Sequence, residues 1–210
     1  MYNFNMDEKK KYTFFNKHFL YAYLIILIGF LIRYYYFIGV DAWYDEWNII
    51  YTVDPTVSYE ETWKRYYGDR GDHILPEYYP PLYAFLLKSF LGIFGYYVEN
   101  ARLVSLIFGS GTLILVFYLT KIFTNLQNSL VATILVSLNL FLIWQSSEIR
   151  PHSLVLFFSL LSIIFFLKLF NQNGLQNRIV SISYVLFSVI LLSSWPFALI
   201  IFFGKFIYLF

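Results

Sequence analysis

Residues 103–120 read LVSLIFGSGTLILVFYLT without a charged side chain, and Lys121 alone separates them from a second charge-free run, 122–147. A third such run covers 179–204. At 1.5 Å rise per residue, each is about long enough to cross ~30 Å of hydrocarbon as a helix. A helix in a soluble bundle carries a polar face at a 3.6-residue period, and these runs carry none. Composition agrees: 59% of the chain is hydrophobic and 13% charged, against roughly 25% charged in a soluble domain. The expected fold is an all-α polytopic integral membrane protein, one membrane module over residues 1–210, with five or six transmembrane helices.

Outward from that stretch, the expected order of segments follows from breakers and charges. A first span covers 19–40, with Arg33 snorkelling or facing protein and Tyr34-Tyr35-Tyr36 as an interfacial belt. It is too long for a signal-peptide core and lacks a small-residue cleavage site, so it reads as uncleaved. The loop 41–78 contains Gly68, Gly71 and Pro76. Its length and its Trp43, Trp47 and Trp63 predict short interfacial helices. Pro80-Pro81 start a helix that Gly95 stops; at 14 residues it suits a membrane surface better than a span. Further spans are expected at 101–123, 129–144 and 152–170. Pro151 disfavours helix at Arg150, so 145–150 should be a tight turn. A loop at 171–178 leads into the last apolar stretch, which Trp195-Pro196 break into one kinked span or one span and the start of another.

The net charge of +2 gains meaning from its distribution. Nine of the 13 acids lie between Asp41 and Glu77, where only Lys64, Arg65 and Arg70 oppose them. Lys9, Lys10, Lys11 and Lys17 precede the first span, while Lys121, Lys168 and Arg178 lie at ends of later ones. Basic span ends favour the cytoplasm, so the N-terminus is expected inside and the acidic loop outside. Scattered bases and an acidic loop exclude a nucleic-acid footprint. With no cysteine, disulfides and thiolate chemistry are excluded, and no pair among His18, His73 and His152 has metal-ligand spacing. No metal or cofactor is expected.

Three polar stations fall on the expected outer surface: Asp45-Glu46 among aromatics, Tyr79 before the prolines, and Glu148, Arg150 and His152 around a turn. Acids at a bilayer boundary are costly enough to suggest function. Partial burial beside aromatics would make a carboxylate a better proton acceptor, or the pair simply caps the next helix. Arg150 could bind phosphate and Glu148 orient a sugar hydroxyl or the arginine, or the two could hold the hairpin together. Arg102 and Lys88 could each neutralise a lipid phosphate or snorkel at the surface. Tyr78, Tyr79 and Tyr83 could stack on sugar or lipid.

Trp43-Tyr44-Asp45-Glu46, then Tyr79–Lys88 (YPPLYAFLLK), Phe94-Gly95, 101–109 (ARLVSLIFG) and 146–154 (SSEIRPHSL) occur in the order seen in GT-C membrane glycosyltransferases. Over about 19–167 the chain resembles the N-terminal half of the protein O-mannosyltransferase-like and lipid A aminoarabinose transferase-like enzymes. That resemblance implies a transferase in a prokaryotic plasma membrane, with its active site on the extracytoplasmic face. It would move a sugar, with inversion, from a polyprenyl-phosphate donor to a lipid, glycan or protein hydroxyl. It assigns the base role to Asp45 and substrate contacts to Glu46, Arg102, Glu148, Arg150, Tyr79 and His152. Tyr79 stands where many relatives have histidine, and His152 where they have tyrosine. Those enzymes are longer, so the chain is expected to be their N-terminal portion. The competing expectations are a transporter or lipid-phosphate-binding subunit, and an inactive fragment of the transferase.

Overall fold

The computed structural model describes residues 17–38, 41–68, 79–170 and 177–209. The basic lead with Lys9–Lys11, the loop segment 69–78 with Gly71, His73, Pro76 and Tyr78, and the 171–176 turn lie outside the described residues, as do the side chains of Lys17 and His18. Helices follow one another as α1 (Lys17–Phe37), α2 (Tyr44–Thr52), α3 (Tyr59–Tyr67), α4 (Leu82–Phe94), α5 (Val98–Phe123), α6 (Leu126–Leu138), α7 (Leu140–Gln145), α8 (His152–Leu169) and α9 (Arg178–Leu192). A 3-10 turn at Pro196–Ala198 leads into α10 (Leu199–Leu209). Among the described residues there is no strand. Three helical stretches, Phe19–Phe37, Val98–Phe123 and His152–Leu169, are long and apolar enough to cross a membrane.

Helices α3, α6, α7 and α9 begin where the chain supplies a side-chain acceptor for their unpaired first N–H groups. Ser58 accepts from Glu61 N at 3.1 Å, Asn125 from Asn128 N at 2.9 Å and Asn177 from Ile179 N at 3.1 Å. Gly68 ends α3 and Gly95 follows α4, at φ 86° and 101°, where a side chain would be strained. Asn139 interrupts what the sequence suggested was a single span over 129–144. It ends α6, then caps α7 by accepting from Leu142 N at 3.0 Å. A single asparagine in an apolar run thus divides one helix into two.

The break leaves α6 carbonyls without helical partners, and Arg33 meets them. Its Nη2 donates to Val136 O at 3.0 Å, and Nη1 to Ser137 O at 3.1 Å and Gly29 O at 3.0 Å. Its Nε donates to Ser146 Oγ at 3.2 Å. Arg33 is only 1% exposed, so it faces protein rather than snorkelling. A cation suits a helix C-terminus, where the dipole is negative. Gly29, one turn earlier, makes this approach possible: a Cβ there would come within 2.7 Å of Leu113 and Ser137.

Contacts along the bundle fix its sense. Arg33, Arg102, the 146–150 turn and Trp195 gather at one end, while Lys121 lies over the Phe19 ring and Lys168 over Tyr118 at the other. Helices α1, α6–α7 and α9 approach the first end; α5, α8 and α10 leave it. The Trp195-Pro196 break therefore reverses the chain, and α10 returns beside α8 with Tyr208 against Phe166. Outside this bundle, α2, α3 and α4 form a cap over the first end. Its core joins Ile49, Val53, Tyr66, Tyr83, Leu87 and Leu91 to Ala101, Val104, Ile149 and Leu154. Lys88 is buried in the cap: Nζ donates to Asp54 O and, at 2.8 Å, to Val57 O. It closes the α2–α3 connection and is not a surface base.

Lys205, unremarked in the sequence reading, is buried between α8, α9 and α10. Its Nζ bonds Ser162 Oγ at 2.5 Å, and Ser162 Oγ lies 2.9 Å from Ser188 Oγ. The rings of Phe202, Tyr184 and Phe166 surround the ammonium at 4.5, 5.0 and 5.8 Å. Desolvating an ammonium costs more than one hydroxyl returns, so an apolar replacement of similar length should be tolerated. Lys205→Met is expected to unfold at the wild-type temperature or above in detergent thermal melts. A clear loss would show that the charge itself holds α10.

Candidate functional site

The residues of the three polar stations converge on the capped end of the bundle. Both acids lie in the first turn of α2, where the exposed N–H groups favour negative charge. Their environments then diverge. Glu46 points inward at 1% exposure, and each of its oxygens accepts two hydrogen bonds. Arg102 Nε at 3.1 Å and Ile149 N at 2.8 Å meet Oε1; Arg102 Nη2 at 2.6 Å and Trp43 N at 3.3 Å meet Oε2. Arg102, 4% exposed, spends Nη2 also on Asp41 O at 3.1 Å. One two-pronged ion pair thus ties α2, α5 and the 146–150 turn together.

That geometry gives Glu46 and Arg102 partners inside the protein. Glu46 and Arg102 were expected to touch substrate, Arg102 by holding a departing phosphate. Their charges satisfy each other inside the protein, and an arriving phosphate would have to break a buried, bidentate pair. As paired, they join the elements that carry the site. Tyr83 is likewise buried and cannot offer a ring face to a ligand.

Asp45 remains partly open. Its Oδ2 lies 2.6 Å from Arg150 Nη2, with side chains 35% and 15% exposed. The same guanidinium sits 5.8 Å from the Trp43 ring centre. A tight turn presents it: Arg150 N donates to Glu148 O at 2.9 Å, and Ser105 Oγ donates to Arg150 O at 3.4 Å. The alternative in which Glu148 and Arg150 merely bind each other across the hairpin does not hold, since Arg150 pairs with Asp45.

Glu148 is buried, and its Oε1 meets no hydrogen-bond donor. Burial pushes its carboxyl up to about 7, helped by the neighbouring Glu46 carboxylate and opposed by Arg150 and Arg102. A carboxyl with that property titrates near neutral pH, as proton-transfer groups do. The Tyr83 hydroxyl, on the α4 side, is also buried, beside Ser105 but without a well-formed hydrogen bond.

Tyr79 and His152 meet through a residue not foreseen as part of the site. The Tyr79 ring stacks on Trp195 at 4.2 Å and 17°, and His152 meets the same indole edge-on at 5.1 Å. The Trp195-Pro196 pair read only as a helix break in the sequence; its reversal of the chain brings the indole to the site. Among the described residues, no cluster of histidines and carboxylates could hold a metal. A shallow cavity of about 540 Å³ lies away from this cluster, lined by Tyr21, Asn125, Leu126, Gln127 and Leu130; with no charged lining, it offers no chemistry.

A guanidinium at an open edge suits a phosphate or carboxylate. An adjacent carboxylate suits a hydroxyl, and flat rings suit a sugar face or lipid. The chain matches no family model, no curated protein and no solved structure.

Proposed function

We propose that this chain is part of a GT-C-type glycosyltransferase, transferring sugar from a polyprenyl-phosphate donor to an acceptor hydroxyl. It crosses the membrane five times, through α1, α5, broken α6–α7, α8 and α9, and α10 begins a sixth passage. The cap of α2, α3 and α4 lies at the extracytoplasmic surface. Asp45 accepts the proton of the acceptor hydroxyl as its oxygen attacks the anomeric carbon. The bond from that carbon to the phosphate oxygen breaks, and its electron pair leaves with the phosphate. Arg150 neutralises the charge that develops there. The Tyr79–Trp195–His152 group flanks the sugar or the lipid head.

One observation carries this reading: Asp45, the residue assigned as base by the resemblance, is ion-paired to Arg150, the arginine of the other station. The decisive experiment reconstitutes the chain in liposomes with a polyprenyl-phosphate sugar and follows transfer and donor binding. Transfer abolished by Arg150→Ala supports the reading. Failure of wild-type protein to bind the donor removes it.

Orientation is tested separately. Glu60 is on the exposed side of α3, in a surface pair with Lys64, so Glu60→Cys disturbs little. An impermeant thiol reagent should label it from outside intact cells. Labelling only from the cytoplasmic side would invert the topology and remove the extracytoplasmic site.

A second reading, a non-enzymatic transport or lipid-phosphate-binding subunit, draws on the buried cations Arg33 and Lys205 within the bundle, since charges inside spans commonly mark transport pathways. It predicts donor-lipid binding with no transfer.

A further inference from the structure

Glu148 is 5% exposed, and no donor reaches its Oε1. An ionised carboxylate in such a place needs a counter-charge. The groups facing it are Glu46 and Asp45 from α2, Arg102 from α5 and Arg150 from its own turn. Tyr83 adds a hydroxyl from α4, and His152 faces Arg150 from the start of α8. Only two of these are fixed cations. Arg102 is locked to Glu46 by two bonds. Arg150 lies in the same tight turn, with Nη2 on the half-open Asp45.

We infer that Glu148 is the alternate anchor of Arg150, drawing the guanidinium from Asp45 when it ionises and freeing the Asp45 carboxylate to receive a hydroxyl proton. The value of that release rests on the transferase reading; the movement itself does not. Glu148 is a positioning residue here, because it acts through Arg150. Its partners make the step feasible near neutrality: burial and then the Glu46 carboxylate bring its carboxyl to about 7. Below that pH the neutral acid makes no demand on Arg150, which stays with Asp45. Above it, the buried anion competes for the guanidinium.

Trp43 reports the exchange, because Arg150 lies 5.8 Å from its ring centre. The full chain, labelled with 5-fluorotryptophan in nanodiscs, is titrated by fluorine NMR without substrate. The Trp43 signal is assigned by its loss in Trp43→Phe. We expect this signal to shift with a midpoint near pH 7, to do so unchanged in His152→Asn, and to stay fixed in Glu148→Gln. In parallel, infrared spectra of wild-type protein with isotope-labelled glutamate should lose a protonated-carboxyl band over the same range. No shift in wild type, a shift that persists in Glu148→Gln, or one that vanishes in His152→Asn overturns the inference. Should Glu148→Gln fail to fold, the wild-type infrared band decides: its absence below pH 7 overturns it. A shift without any sugar transfer leaves the exchange standing and removes the transferase reading; transfer without a shift removes the exchange alone.

Discussion

Glu46→Ala is expected to lower stability by about 3–5 kcal/mol, the usual cost of stripping one partner from a buried ion pair. The loss is large because Arg102 would keep its charge at 4% exposure without the carboxylate that now meets it through two bonds. The amide of Ile149 would also lose its acceptor. For a chain of this size, such a loss lowers the melting temperature by roughly 10 °C. Glu46→Gln should cost nearly as much, since it keeps the shape but removes the counter-charge. The paired replacement Glu46→Met with Arg102→Met should recover most of the stability, because no uncompensated charge remains. Thermal unfolding in detergent for all four proteins would decide. Single variants that melt with the wild type would mean that the pair does not hold the cap to the bundle.

The second large effect is chemical. With Asp45 as the proton acceptor, Asp45→Asn should reduce sugar transfer by roughly 10²–10⁴. The pairing with Arg150 adds a consequence for binding. Asparagine no longer competes with a phosphate for the guanidinium, so donor affinity should hold or rise while turnover collapses. Arg150→Ala should weaken both, because phosphate is charged in the ground state as well as the transition state. Transfer rates and donor affinities in reconstituted membranes separate these patterns. Near-normal turnover in Asp45→Asn would end the proposed mechanism.

Much of the helical order could be read from the chain because it rests on local chemistry. Gly95 stops α4, Pro151 precedes α8, and Trp195-Pro196 break the last run, each through its own backbone restriction. The grouping of polar stations was also legible, since charges in so apolar a chain collect at span ends. What escaped depends on partners far away in sequence. Asp45 and Glu46 are neighbours in one helical turn, and nothing local says that one faces inward to Arg102 and the other outward to Arg150. The α6–α7 break did carry a signal, Asn139, a good cap set among leucines; hydropathy averaged over the run concealed it. Trp195 joins Tyr79 because the chain reverses there, the second of the two outcomes the Trp195-Pro196 break left open, and neither outcome names the partner of the indole.

Arg33 sets an order of events during synthesis. The carbonyls that receive its guanidinium belong to Val136 and Ser137, made long after α1 has left the ribosome. Until then α1 is an apolar helix carrying an unmatched cation, a burden of about 2.5–3.5 kcal/mol at the centre of a bilayer. Its place near the end of α1 lets it wait among the lipid headgroups. Arrival of α6, already interrupted at Asn139, then draws it inward. The first helix is thus seated only after α6 is made, and repairing the break with Asn139→Leu should leave α1 loosely held and readily cleared by membrane quality control.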